Sequence, residues 1–254
     1  MSAETRHDRI LEMLRRRGYA AIDELAAELS VTPQTVRRDL QDLAGEGLLR
    51  RHHGGASLPS SIANTDYALR HVENAQEKAR IAAAAAERVA EGSSVFLTLG
   101  TTVEAVAAAL SAKRELRVVT NSTAAARILG ASPGISVHVL GGSFRAANGG
   151  LVGAFAAEAA SRWRCDLLIK GVGAITPDGW LLDYHEDEVA VARTMMAHAR
   201  ATLLVADHTK FLKTAACVVA PLSAVATLVT DRAPPRSHAA ALRQAGTELV
   251  VAPA

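Results

Sequence analysis

Cysteine is scarce in this 254-residue chain, which has only Cys165 and Cys217. Two thiols can build neither a disulfide framework nor a four-thiolate zinc site. Aromatic residues make up only 4%, so the core must rest on Leu, Val, Ile and Ala. Cys165, Cys217, Trp163 and Trp180 read as packing residues. The opening MSAETRHDRI contains no apolar run and so lacks the pattern of a secretory leader. The long uncharged stretch 214–230 falls short of the ~20 apolar residues of a spanning helix and contains Pro221. Charge of one sign is lacking too: the net charge is +2, which by itself says little about partners. What is present, 49% hydrophobic and 21% charged residues, matches a folded domain with a sizeable core. The expectation is a soluble, cytoplasmic protein with no membrane partner, no cofactor and no metal, organised as one large domain or two unequal ones.

Residues 4–17 carry Ile10, Leu11 and Leu14 at helical spacing, and Gly18 ends that helix. A short helix at 22–29 follows, turning Leu25 and Leu29 inward. Thr32 then stands as a helix cap before Pro33, which suits a first helical position because it has no N–H to leave unpaired. The third helix spans 33–44 and is closed by Gly45 and Gly47. Residues 48–57, with Gly54 and Gly55, read as a hairpin, and LPSSIANTD at 58–66 has linker composition. From about residue 74 the pattern alternates. Helices at 77–90, 103–110 and 123–129 are interleaved with strands at 94–99, 116–120, 135–140, 166–169, 202–206, 226–229 and 248–251. That alternation predicts an α/β fold with a mostly parallel sheet and helices on both faces. The expected boundaries are a winged helix-turn-helix at 1–57, a linker at 58–73 and an α/β domain at 74–254.

At about 100° per residue, Val36, Leu40 and Leu43 share one side of the third helix. Gln34, Arg38 and Gln41 lie nearly opposite, flanked by Thr35 and Arg37. Arg and Gln are the residue types that read guanine and adenine edges in the major groove. Two short helices joined by a tight turn, the second opening on the cap Thr32, form a DNA-reading layout. The hairpin would supply Arg50, Arg51, His52 and His53 as a wing against phosphates. The competing reading is a small helical domain with solvated arginines, because acids match the arginines over residues 1–60.

The run VTPQTVRRDL at 31–40, followed by RRHHGGA at 50–56, resembles the DeoR family of bacterial regulators. FLTLGTT, EAVAAAL, VVTNS, GGLVG and VADHTKF extend the resemblance over nearly the whole chain. RHHGGA followed by LPSS and NT looks most similar to the branch that represses glycerol-3-phosphate genes. The resemblance implies a repressor that binds double-stranded operator DNA. It also implies an isomerase-like α/β domain sensing a phosphorylated effector, sn-glycerol 3-phosphate first, and assembly as a tetramer or dimer. It further implies that the chain is not an enzyme; an isomerase-like proton-transfer enzyme remains the alternative.

The candidate effector site collects at strand ends, where open parallel sheets bind ligands. Gly100, Thr101 and Thr102 lie between a strand and a helix, and read either as a phosphate cradle or as a plain connection. Thr120, Asn121 and Ser122 repeat that chemistry at the next strand end. Gly141, Gly142 and Gly171 let a backbone approach closely. Resemblance adds Lys210, Asp183 and Glu188 as ligand contacts, with Glu188 alternatively pairing with Arg193. Three positions depart from the family pattern. Thr98 and Thr176 stand where an Asp is usual, and Lys170 where an apolar residue is usual. The run 185–188 (HEDE) reads as a solvated helix start, acids being favoured there, rather than a metal site.

Overall fold

The computed structural model describes residues 2–17, 19–46, 48–52, 54–58 and 67–253, with the backbone alone at His52. Gly18, Gly47, His53 and the linker residues 59–66 therefore lie outside the described residues. The chain divides into two compact units, Met1–Ala63 and Asn64–Ala254.

In the first unit, α1 (Ala3–Arg17), α2 (Ile22–Leu29) and α3 (Pro33–Gly45) bury Ile10, Leu14, Leu25, Val36, Leu40 and Leu43 against one another. The expected cap is present: Thr32 Oγ1 accepts from Thr35 N at 3.1 Å. Ser30 closes α2 in the left-handed region, at φ 54°. The hairpin of β2 (Arg50–His52) and β3 (Gly55–Ser57) gains a third strand that sequence reading missed. β1 (Tyr19–Ala21), only three residues long, pairs antiparallel with β3. Gly55 permits that pairing, since a Cβ there would meet the Ala20 carbonyl oxygen at 2.3 Å.

The second unit opens with α4 (Tyr67–Val72) and α5 (Ala75–Glu87). There follow β4 (Ser94–Leu97), α6 (Thr101–Leu110), β5 (Leu116–Thr120), α7 (Thr123–Leu129) and β6 (Ile135–Val139). Next come β7 (Ser143–Arg145), β8 (Gly150–Val152), α8 (Ala154–Ser161), β9 (Cys165–Lys170), β10 (Ala174–Ile175), β11 (Trp180–Asp183) and α9 (Glu186–Ala197). β12 (Ala199–Val205), β13 (Cys217–Pro221), β14 (Thr227–Thr230), α10 (Ala239–Ala245) and β15 (Glu248–Val251) complete it. The main sheet is seven-stranded and parallel throughout, in the order β15-β14-β12-β9-β4-β5-β6.

Its central strands are apolar on both sides, as a doubly covered parallel sheet requires. Val95, Leu97, Val118 and Ile169 join a core with Ile81, Val106 and Leu110. The alternate residues Phe96, Val119 and Leu168 join another with Val191 and Met195. Two small antiparallel sheets, β7-β8 and β10-β11-β13, were not anticipated. Trp180 lies on one of them and is 42% exposed, contrary to the packing role expected of it. Cys217 is only partly buried, whereas Cys165 is buried.

Candidate functional site

On α3 the side chains of Gln34, Arg37, Arg38 and Gln41 are exposed and Thr35 is half-buried. Arg50 and Arg51 are exposed on β2. Of the two acids on α3, Asp42 is exposed while Asp39 is buried. Asp39 turns into the unit and accepts from Arg6 Nε at 2.6 Å and Arg6 Nη2 at 2.7 Å, with His7 Nε2 at 3.2 Å. Burial alone would raise the Asp39 pKa, but Arg6 and then His7 outweigh it and hold the carboxyl low. Thr32 spends its hydroxyl on the cap.

In the second unit the strand ends form a small cleft of about 20 Å³, lined by Thr98, Leu99, Asn121, Lys170, Asp183, Glu188 and Ala192. The loop after β4 turns through Gly100 at φ 129°, a conformation glycine adopts readily. The helix then begins at Thr101, two residues earlier than the sequence reading placed it. Thr101 and Thr102 are thus first-turn residues, whose amides have no intrahelical acceptor and sit at the positive end of the helix dipole. Asn121 donates from Nδ2 to the Leu151 carbonyl at 3.1 Å, while its buried Oδ1 has no partner.

Other expected residues serve the backbone. Thr120 is fully buried; its hydroxyl donates to the Leu97 carbonyl at 2.8 Å and accepts from Ser122 N. Ser122, equally buried, caps α7 by accepting from Ala125 N at 3.1 Å. Gly142 allows a close approach, since a Cβ there would lie 2.7 Å from the Val152 carbonyl oxygen; that neighbour is the β8 backbone. Of the expected residues, Asn121, Asp183 and Glu188 line the cleft, and Gly100, Thr101, Thr102, Thr120, Ser122, Gly141, Gly142 and Lys210 do not. Gly171 sits at its edge, its carbonyl accepting from Lys170 Nζ at 2.9 Å.

Lys170 is buried and lies 3.7 Å from Asp183. Burial pushes its pKa down, opposed by Asp183 and Glu188. Glu188 does not reach Arg193. It accepts from Asn148 Nδ2 at 2.9 Å and lies 3.3 Å from Arg145 Nε, while Arg193 donates to the Val218 and Val219 carbonyls. Burial, and after it the charge of Asp183, raises the Glu188 pKa against the pull of the Asn148 hydrogen bond. Lys210 sits in a short 3-10 turn at His208–Phe211 and faces buried Asp207, Lys78 and Lys213. Burial first, then neighbouring cations, brings Lys213 down to about 8; Lys78 likewise falls to about 8.

Arg70, Lys78 and Lys213 were not foreseen. A signal existed: the chain has only five lysines, and four of them (78, 170, 210 and 213) gather here. The linked charged groups are Arg70, Lys78, Arg145, Lys170, Lys210 and Lys213 against Glu73, Asp183, Glu188 and Asp207. Cations exceed acids six to four.

Two family models match the chain. One, described as a DeoR-like helix-turn-helix domain, covers residues 6–62, and one described as a DeoR C terminal sensor domain covers 73–232. The chain belongs to the DeoR family of transcriptional repressors. It is 44% identical to the HTH-type transcriptional repressor CsqR of Escherichia coli (strain K12), over 99% of this chain and 96% of that protein. It is 40% identical to the glycerol-3-phosphate regulon repressor of the same organism, over 93% of this chain and 94% of that protein. A ribose 5-phosphate isomerase A from Methanocaldococcus jannaschii is distantly similar in structure, at TM-score 0.41 and 14% identity, over 54% of this chain and 55% of that one. These DeoR-family relatives are repressors, not enzymes. Among the described residues, no helix is long and apolar enough to cross a membrane.

Proposed function

We propose that this DeoR-family repressor binds operator DNA through α3 and the wing, and releases it when a phosphorylated polyol occupies the strand-end cleft of the second unit. Gln34, Thr35, Arg37, Arg38 and Gln41 read the major groove. Arg50, Arg51 and the two wing histidines, His52 and His53, meet phosphates. One reading head buries too little surface to bind tightly by itself, so the working form is a homo-oligomer, a dimer or tetramer. Residues 1–57 act as the DNA-binding part, 58–73 as the connection and 74–254 as the sensor.

The observation that supports the effector assignment is the gathering of cations in the second unit, with Lys78, Lys170 and Lys213 buried and Arg70, Arg145 and Lys210 half-buried. The phosphate lies on the amides of Thr101 and Thr102, with Gly100 giving it access and Lys210 neutralising it. Asn121 and the acids Asp183 and Glu188 take hydroxyls, and Gly171 shapes the wall beside Lys170. Thr120, Ser122, Gly141 and Gly142 hold the neighbouring turns in place rather than touching the ligand. sn-Glycerol 3-phosphate is the first choice, supported by the relatives whose name specifies that regulon. A second reading keeps the mechanism and replaces the ligand with a larger sugar phosphate. It is favoured by the Lys170–Asp183 pair, which places a cation where the family usually has an apolar side chain.

A thermal-shift titration with glycerol 3-phosphate, glycerol, ribose 5-phosphate and fructose 6-phosphate separates these, because a ligand that binds only the folded state raises the melting temperature with concentration. Glycerol 3-phosphate is expected to shift it and glycerol not. A shift with a sugar phosphate alone replaces the first reading with the second. No shift with any of them removes the phosphate assignment.

A further inference from the structure

The strand-end cleft, at about 20 Å³, has room for one water-sized group. The part of a ligand that enters it is therefore a single small group, neither a phosphate nor a whole polyol. Asn121, Lys170, Asp183 and Glu188 give its lining charge and hydrogen-bonding capacity, and Leu99 and Ala192 are apolar.

The charges of this lining are matched in pairs. Lys170, 2% exposed, lies 3.7 Å from Asp183 Oδ2. Glu188 Oε1 has Arg145 Nε at 3.3 Å and accepts from Asn148 Nδ2 at 2.9 Å. An anion entering the cleft would face both carboxyls. What is left unmatched is hydrogen bonding. Asn121 is buried, and its amide is oriented by Nδ2 donating to the Leu151 carbonyl at 3.1 Å, while Oδ1 has no partner. A buried acceptor without a donor costs free energy until one arrives. The Lys170 ammonium carries three donors. One goes to the Gly171 carbonyl at 2.9 Å. Asp183 Oδ2, at 3.7 Å, attracts the ammonium as a charge from beyond hydrogen-bonding distance. An orphaned acceptor beside an under-used donor calls for a group that both donates and accepts. A hydroxyl does both, is neutral, and has the size of the cleft. Leu99 and Ala192 offer apolar contact to the carbon that bears it.

We propose that the cleft is a one-hydroxyl subsite, in which the effector's hydroxyl farthest from its phosphate donates to Asn121 Oδ1 and accepts from Lys170 Nζ. This rests on the effector reading above, and it makes Lys170 a specificity-determining residue rather than a counter-ion for Asp183 alone. The phosphate stays outside, at the first turn of α6, which starts two residues after Leu99 of the cleft wall. A ligand that lacks the hydroxyl leaves the buried polar groups unpaired and is rejected for that reason.

The test is calorimetric titration of the full chain with glycerol 3-phosphate, ribose 5-phosphate and fructose 6-phosphate. Whichever binds is then compared with its analogue lacking the far hydroxyl: propane-1,2-diol 1-phosphate, 1-deoxyribose 5-phosphate or 1-deoxyfructose 6-phosphate. Wild type is expected to prefer the parent by about tenfold or more, the scale of a hydrogen bond to a charged group. K170M is expected to lose most of that preference while binding the analogue within about twofold of wild type. A lysine with a structural role alone would not lose affinity for one ligand and keep it for the other. If K170M fails to fold because Asp183 is left unpaired, K170M/D183N removes both charges and keeps an oxygen at position 183. A lysine that only neutralises Asp183 would leave the preference standing in that double variant. Equal wild-type affinity for parent and analogue overturns the subsite. Weakening of both ligands alike by K170M, or of neither, overturns the role of Lys170. Both outcomes leave the effector reading intact, since the parent still binds. Failure of all three parents to bind wild-type protein overturns the effector reading, and this inference with it.

Discussion

At the scale of residues, Asp39, Asp207 and Asp231 are buried carboxyls that their partners hold in the charged form. Asp231 has a fully buried side chain and accepts from His208 N at 2.7 Å and His208 Nδ1 at 2.8 Å. Burial alone would raise its pKa; the His208 hydrogen bonds outweigh that and hold it at about 2. A carboxyl whose folded pKa lies below its unfolded value stabilises the fold above the unfolded value, and loses that contribution as pH falls through the folded one. Asp231→Asn is therefore expected to cost about 2 kcal/mol at neutral pH, with the gap to wild type narrowing between pH 4 and 2. Urea denaturation at pH 7 and pH 3 measures it, and an equal gap at both would show that the carboxylate charge is not what stabilises. Arg38→Ala belongs to this scale as well. Arg38 is exposed, so the unit should stay folded while specific operator binding falls by about 1–3 kcal/mol. Fluorescence anisotropy on an operator recovered by in vitro selection reads it; full retention removes Arg38 from the reading face. Its neighbour Asp39 shows the limit of a helical wheel. The wheel predicts which side Asp39 occupies but not that Arg6, 33 positions earlier, follows it into the interior.

Elements were legible where local pattern and tertiary role agree. The strands at 116–120 and 248–251 and the helices at 22–29 and 123–129 fall where apolar runs and capping residues place them. β10, at two residues, and β7 and β8, at three each, are too short to show a period. β1 was hidden because its partner residues lie 34 to 38 positions away. The cleft was legible in its strand-end loops, which are small and polar, but not in its direction. Thr101 and Thr120 look alike in sequence. One opens α6, while the other turns inward to the Leu97 carbonyl. Thr101→Val keeps the branched shape and the backbone amide and removes only the hydroxyl. It is expected to raise the effector concentration needed for operator release by roughly tenfold, the scale of one hydrogen bond to a charged group, with operator affinity unchanged when effector is absent. An unchanged midpoint in the same anisotropy assay would take that hydroxyl out of the cradle.

For the whole molecule, the family resemblance covers both units, and regulation requires that each ligand prefer a different state of the protein. On the proposed function, the reading heads of a homo-oligomer would fit DNA only at the spacing of its half-sites, and an effector would weaken binding by favouring another arrangement of the heads. Linkage makes this reciprocal: if effector lowers operator affinity by some factor, operator lowers effector affinity by the same factor. Titrating the effector with and without saturating operator is expected to give dissociation constants that differ by the factor seen in the converse experiment, typically five- to 150-fold. Should the two constants coincide while effector still displaces DNA, displacement would be direct competition at the reading face or an ionic-strength effect, not a coupling through the chain. Thr101→Val sharpens the distinction: it alters the sensor alone, so under coupling it weakens effector binding and leaves effector-free operator affinity unchanged, whereas competition at α3 would leave its effector response at the wild-type value.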